Sequence, residues 1–295
     1  MPRLSSASNR LKYAAVAWLC CRGLAAAEPP DLAPLLPPSG GGGVADALRS
    51  GDVKRAAVFA AALPSEDARR LWRGTLAIVG NDAVTAIRTL RPLGDSKALG
   101  VAYYLARQYV LFREQMHAAI RREPSDFGPY YLLGRHYDSE LDDCAEAVRW
   151  FRLALERNPA YGRAHAHLGY CLERQGDAAG AERAYQSSIG LALSQAGMAR
   201  LQQKAGRAAE ALTWAQKAEG DPAADRLAAR LYESLGRPAE AIAALERLRR
   251  AVPHDASVLY QLHRLHRAAK DDARAKAALA EYERVRAIYG AQPER

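Results

Sequence analysis

Residues 127–161 read FGPYYLLGRHYDSELDDCAEAVRWFRLALERNPAY, and the fold is decided by how that stretch repeats. Leu133-Gly134 returns as Leu168-Gly169, 35 residues on. Gly176-Asp177-Ala178-Ala179, Gly206-Arg207-Ala208-Ala209 and Gly236-Arg237-Pro238-Ala239 follow one another at intervals of 30 residues. Pro124, Pro159 and Pro253 each close an apolar helical stretch rich in Arg or Glu. A period near ~34 residues with helical patterning predicts stacked helix pairs, because one pair alone cannot bury its apolar stripe. Upstream, Leu99-Gly100, Tyr103, Ala119 and Pro124 keep the phase. Ser50-Gly51-Asp52 and Gly80-Asn81-Asp82 read as turns of two shorter, degenerate hairpins. The total is about seven or eight hairpins.

Composition agrees with an all-α chain. Aromatics are only 7% of the residues while alanine is abundant, so closely packed helices built on small residues are expected rather than a core of Phe and Trp. Gly134 and Gly169 allow backbones to approach where a side chain would collide, and Ala147, Ala181, Ala211, Ala241 and Ala275 are placed to do the same from the facing helix.

In these residues the chain resembles the tetratricopeptide repeat (TPR) family over 93–290. The unit at 127–161 carries the family pattern: Tyr130, Leu133, Gly134 and Tyr137 in the first helix, then Ala147, Phe151, Ala154 and Pro159 in the second. One extra residue falls in its interhelix turn, within Asp138–Asp143. The next unit keeps Leu168, Gly169, Gly176, Ala181 and Tyr185 but has His165 at the first aromatic position. Later units hold Met198-Ala199 in place of Leu-Gly, then Tyr232, Gly236, Ala241 and Pro253, and finally Leu262, Ala275 and Leu279 with Lys270 at the turn glycine. The resemblance implies a right-handed α-solenoid of stacked antiparallel helix hairpins, about seven or eight TPR-like units, whose first helices line a concave face. It also implies a scaffold that binds a protein or peptide segment.

Repeat phase places Arg135, Tyr170, Arg200, Arg230 and Arg264 at one equivalent position, flanked by Tyr131, Arg174, Lys204, Arg226 and Tyr260. Guanidiniums bind carboxylates and phosphates bidentately, and tyrosines add rigid apolar area. An acidic or carboxylate-ended segment is therefore the expected ligand of such a groove. The competing reading is that Arg outnumbers Lys everywhere here and every helix surface inherits it.

The ends of the chain read differently. Arg3, Arg10 and Lys12 precede an apolar run from Tyr13 to Cys21, and Ala25-Ala26-Ala27 offers a cleavage pattern, so residues 1–27 read as a signal peptide. Arg22 shortens the apolar run and argues for a cytoplasmic alternative. Removing the four basic residues of this stretch lowers the net charge from +9 to +5, ordinary for a soluble domain, which makes nucleic acid the poorer partner class. Residues 28–44 read as a Pro/Gly-rich linker, 45–92 as degenerate helical hairpins and 93–290 as the array. No other stretch reaches the ~20 apolar residues of a membrane span.

Chemistry-bearing motifs are sparse. The sequence holds no HExxH, GxSxG, P-loop or GxGxxG, so no catalytic residue, cofactor or small-molecule substrate is assigned. His263 and His266 are three residues apart, yet the phase puts both at packing positions, and no metal is assigned. Asp142-Asp143 and Asp271-Asp272 fall in turns, where helix capping is expected. Cys144 opens one helix and Cys171 lies late in the next, an antiparallel placement that would bring them within disulfide range, with a free buried thiol as the alternative. A regulatory or assembly subunit of an enzyme or envelope complex is the second functional reading.

Overall fold

The computed structural model describes residue 34 and residues 42–94, 96–218 and 220–289. The signal-peptide reading and most of the linker fall outside these residues. Among the described residues sixteen α-helices follow one another, with no strand. They are α1 (Gly42–Arg49), α2 (Val53–Ala61), α3 (Glu66–Val79), α4 (Ala83–Leu90), α5 (Ser96–Leu105), α6 (Tyr109–Arg122), α7 (Phe127–Ser139), α8 (Cys144–Arg157) and α9 (Gly162–Arg174). After these come α10 (Ala178–Gln186), α11 (Ala192–Lys204), α12 (Ala208–Lys217), α13 (Pro222–Ser234), α14 (Pro238–Ala251), α15 (Ala256–Ala268) and α16 (Asp272–Tyr289). The first described helix opens at Gly42 and buries Val44.

The fold is an all-α solenoid type, and its described residues fall into two compact units. One extends to Asp177 and the other begins at Ala178. In the first, α1 packs on α2, α3 on α4, α5 on α6 and α7 on α8, with α9 against α8. In the second, α10 packs on α11, α11 on α12, α13 on α14 and α15 on α16.

Each hairpin turn is closed by a residue in the left-handed region: Gly51, Asn81, Arg107, Asp142, Gly176, Gly206, Gly236 and Lys270. The amide after it bonds to the carbonyl five residues back, as in Asp52 to Ala47, Asp177 to Leu172, Arg237 to Tyr232 and Asp271 to His266. This is the wide bond of a Schellman C-cap, which satisfies carbonyls left over at the helix end. At Asp143 the same bond reaches six residues back, to Tyr137, accommodating the extra turn residue that the sequence indicates. Aspartates then restart the chain: Asp52, Asp82, Asp143 and Asp271 accept from backbone amides of the helices that follow.

Interhelix contact follows a second rule. A Cβ on Gly74 would meet the Leu90 side chain at 2.4 Å, one on Gly100 the Met116 methyl at 2.4 Å, and one on Gly134 the Phe151 ring at 2.7 Å. In each pair the large residue lies 16 or 17 positions later, 17 only in the hairpin with the long turn. Ala147, Ala181, Ala211, Ala241 and Ala275 are all buried, as their phase requires. Gly197 makes a close approach the sequence reading missed, since a Cβ there would sit 2.2 Å from the ring of Tyr185 on α10.

The two units differ inside. The second is cored by alanines and leucines, among them Ala215, Ala228, Ala244, Leu227 and Leu245. The first contradicts the expectation of a core without large aromatics: Phe112, Tyr131 and Phe151 are fully buried there and Trp72 nearly so.

The turn geometry carries a stability prediction. A side chain in the left-handed region costs about 1 kcal/mol relative to glycine. Lys270→Gly is expected to raise stability by about that amount and Gly236→Ala to lower it comparably, as read by urea denaturation.

Candidate partner-binding face

In the second unit the first helices of successive hairpins, α11, α13 and α15, carry the arginines picked out by repeat phase. Arg230 on α13 is exposed and makes no ion pair among the described residues. Lys204 on α11 is exposed, while half-buried Arg200 donates to the Tyr185 hydroxyl at 3.2 Å. Arg264 on α15 is exposed but pairs with Glu233 of α13. Tyr260 is 52% exposed and its ring lies 5.5 Å from that of Tyr282 on α16. This face therefore offers cations and an aromatic platform held on rigid helices.

Arg226 belongs to the framework. Its guanidinium reaches Asp255 at 2.6 Å, and Asp255 at the same time caps α15, accepting from Ser257 and Val258 amides through its other oxygen. Lys97 does the same to Asp126, the cap of α7, at 2.6 Å. Both cation–aspartate pairs are 29 residues apart. That spacing of a cation and a pre-helix aspartate is visible in the sequence and was the signal to read.

The first unit corrects the predicted list further. Tyr131 is fully buried, its ring 5.0 Å from Tyr161 and 5.9 Å from Phe151, so it is a core residue. Arg135 is 3% exposed, donating to Asp138 at 2.8 Å and to Nδ1 of His167 at 3.3 Å. Its register matches that of Arg230, yet Asp138 one turn on and His167 on α9 draw it inward. Burial pushes the Asp138 carboxyl above the usual carboxylate range and the Arg135 guanidinium opposes that. Beside it, burial and then the neighbouring Arg113 depress His136 to about 4, so this fully buried ring is neutral and accepts from Arg113 at 3.2 Å. Tyr170 is half-buried, with the Arg174 guanidinium 5.9 Å from its ring centre, and Arg174 pairs with Asp142 at 2.5 Å. That hydrogen bond raises Arg174 still higher.

The His263 ring nitrogen Nδ1 meets the Ala275 carbonyl at 2.9 Å, and His266 is buried as its phase predicts. Cys144 and Cys171 do come together: with Asp138 they form a group whose donor atoms lie within 4.8 Å of one another. Both are thiols in this structure.

Hairpins of two antiparallel helices, closed by left-handed turns and packed with glycine against a large side chain, define a helical-repeat protein of the solenoid class. Within it, the tetratricopeptide-repeat profile matches residues 222–265. Solved structures agree on the fold. A chain of the APC/C hetero-tetramer Cut9-Hcn1 superposes with a TM-score of 0.60 at 15% identity, over 83% of this chain and 53% of that one. This chain thus spans about half the length of that relative. PilF of Pseudomonas aeruginosa gives 0.56 at 15% identity, over 70% of this chain and 94% of its own. PilW, a type IV pilus biogenesis factor, gives 0.54 at 15%, over 69% and 95%. No curated protein matches the chain in sequence at a significant level.

Register alone therefore does not make a surface arginine. Arg135→Ala is expected to cost about 3 kcal/mol, because it leaves Asp138 buried without its cation, whereas Arg230→Ala stays within about 0.5 kcal/mol. Paired urea titrations measure both.

Proposed function

We propose that this protein is a non-enzymatic scaffold that holds a protein or peptide segment, with the second unit's first-helix face as the contact surface and carboxylates as the favoured ligand groups. The observation that carries this reading is Arg230, exposed on α13 with no ion pair among the described residues, in register with the exposed Arg264 on α15. An exposed guanidinium on a helix offers both its charge and its fork of donors, and a partner's carboxylate can bond it bidentately. Tyr260 supplies the apolar contact that gives such an interface area as well as charge. Tyr131, Arg135 and Arg226 take no part in it. We also propose that residues 1–27 direct export, a reading that rests on their sequence pattern.

The test is a crosslinking pulldown with the wild type beside an Arg230→Glu/Arg264→Glu variant, at low and high salt. Partners specific to the wild type and lost on charge reversal are expected. Recovery of the same partners in equal amounts overturns the cationic face and leaves a scaffold with another contact surface. For export, amino-terminal sequencing of the mature chain from its native host is expected to begin near Glu28, and a chain that still begins at its first residues overturns that assignment.

A further inference from the structure

The group formed by Asp138, Cys144 and Cys171 joins three consecutive helices of the first unit. Asp138 stands near the end of α7, Cys144 opens α8 and Cys171 lies in the last turn of α9. Cys171 is fully buried and its thiol points at Asp138, Sγ to Oδ1 at 3.7 Å. Cys144 is half-buried, with a route to solvent that Cys171 lacks. Asp138 divides its oxygens, Oδ1 toward the Cys171 thiol and Oδ2 to Arg135 at 2.8 Å.

Two chemistries suit two sulfurs and a carboxylate within 4.8 Å of one another. A divalent cation is the first, since zinc takes such ligands. The surrounding charge opposes it: Arg135 is bonded to the carboxylate, and the Arg174 guanidinium acts electrostatically on Cys144. Two guanidiniums beside a cation site repel the ion and instead favour sulfur anions. The second chemistry is thiol–disulfide exchange, which needs one accessible thiol, one neighbouring thiol and a place for the proton.

We propose that Cys144 and Cys171 form a dithiol–disulfide centre, oxidised by a low-molecular-weight disulfide, with Asp138 as the proton acceptor for the buried thiol. The Cys144 thiol loses its proton to water and its sulfur attacks the external disulfide RSSR. The S–S bond breaks, one RS⁻ leaves and is protonated to RSH, and Cys144 carries the mixed disulfide. Cys171 then passes its proton to Asp138 as its sulfur attacks Sγ of Cys144. The second RS⁻ departs and takes up a proton. The two cysteines have lost two electrons and RSSR has gained them, giving one internal disulfide and two RSH. Bond formation brings the sulfurs to about 2.05 Å, a movement within reach of side-chain rotation at the half-buried Cys144. Burial pushes both thiols up, most strongly Cys171, so exchange is slow. Its product ties α8 to α9 across two successive repeats.

The experiment uses the full chain with Cys20→Ser and Cys21→Ser, so that only the two thiols of interest react. Reduced protein is equilibrated in buffers of increasing oxidised-to-reduced glutathione ratio, quenched with iodoacetamide, and followed by intact mass and peptide mapping. The expected result is concerted loss of both alkylation sites, a species about 2 Da lighter than the unalkylated dithiol, and one linked peptide pair containing Cys144 and Cys171. Alkylation of both cysteines at every ratio, or a glutathione adduct on Cys144 as the end point, overturns the proposal. In Cys144→Ser, Cys171 is expected to take up glutathione at least tenfold more slowly than Cys144 does in Cys171→Ser. Equal rates overturn the assigned order. In Asp138→Asn, checked for retained helicity by circular dichroism, the Cys144 adduct is expected to accumulate and to resolve severalfold more slowly. Resolution at the wild-type rate removes Asp138 from the step. If Asp138→Asn fails to keep its helicity, the glutathione titration of the wild-type pair still decides whether the disulfide forms.

Discussion

The constraint on which the rest depends is the left-handed residue that closes each hairpin. It reverses the chain in few residues, and its following amide returns to the helix just ended, so the second helix is delivered antiparallel against the first. Only after that reversal can a glycine on one helix meet a large side chain 16 or 17 positions later on the other. Packing and turn are thus one device. The extra residue before Asp143 demonstrates the link, because it lengthens the turn's hydrogen bond and the Gly134–Phe151 offset together.

This is also why the fold was legible in the sequence and much of the binding face was not. Turn glycines, small packing residues and capping aspartates are local requirements, each satisfied by a residue type at a fixed spacing. They can be read one repeat at a time, even where Lys270 or Arg107 replaces the favoured glycine. What a helix-surface arginine does is decided by its neighbours in space. Arg135 and Arg230 share one register, yet one is in the core and the other in solvent, because the first has Asp138 beside it and His167 opposite. The aromatic core of the first unit escaped for a related reason. A whole-chain percentage of aromatics averages a unit rich in them with one packed on alanine and leucine.

Several polar side chains inside the first unit are linked into connected sets. Arg135, Asp138, His167 and Cys171 form one connected set, and Tyr104, Tyr109 and Glu140 another, with both hydroxyls donating to the same carboxylate. Buried charge is expensive unless paired, so such sets fix the arrangement of helices more tightly than apolar packing alone. The second unit has its own buried pairs, Asp225 with Arg247 and Ser188 with Ser194.

The cap aspartates set how much of that charge remains free. Asp126 and Asp255 each give one oxygen to the amides of the helix they start and the other to a cation on the preceding first helix. A carboxylate so placed neutralises the first turn of the helix and binds its neighbour at once, combining a helix cap with an interrepeat bridge. The cation it engages is withdrawn from any partner, which removes Arg226 from the binding face although its sequence position suggested the opposite. Arg230 lies one turn further along α13, beyond the reach of that cap, and an arginine there stays available. In α13, then, distance from the next cap separates Arg226, which bridges to the following repeat, from Arg230, which stays exposed.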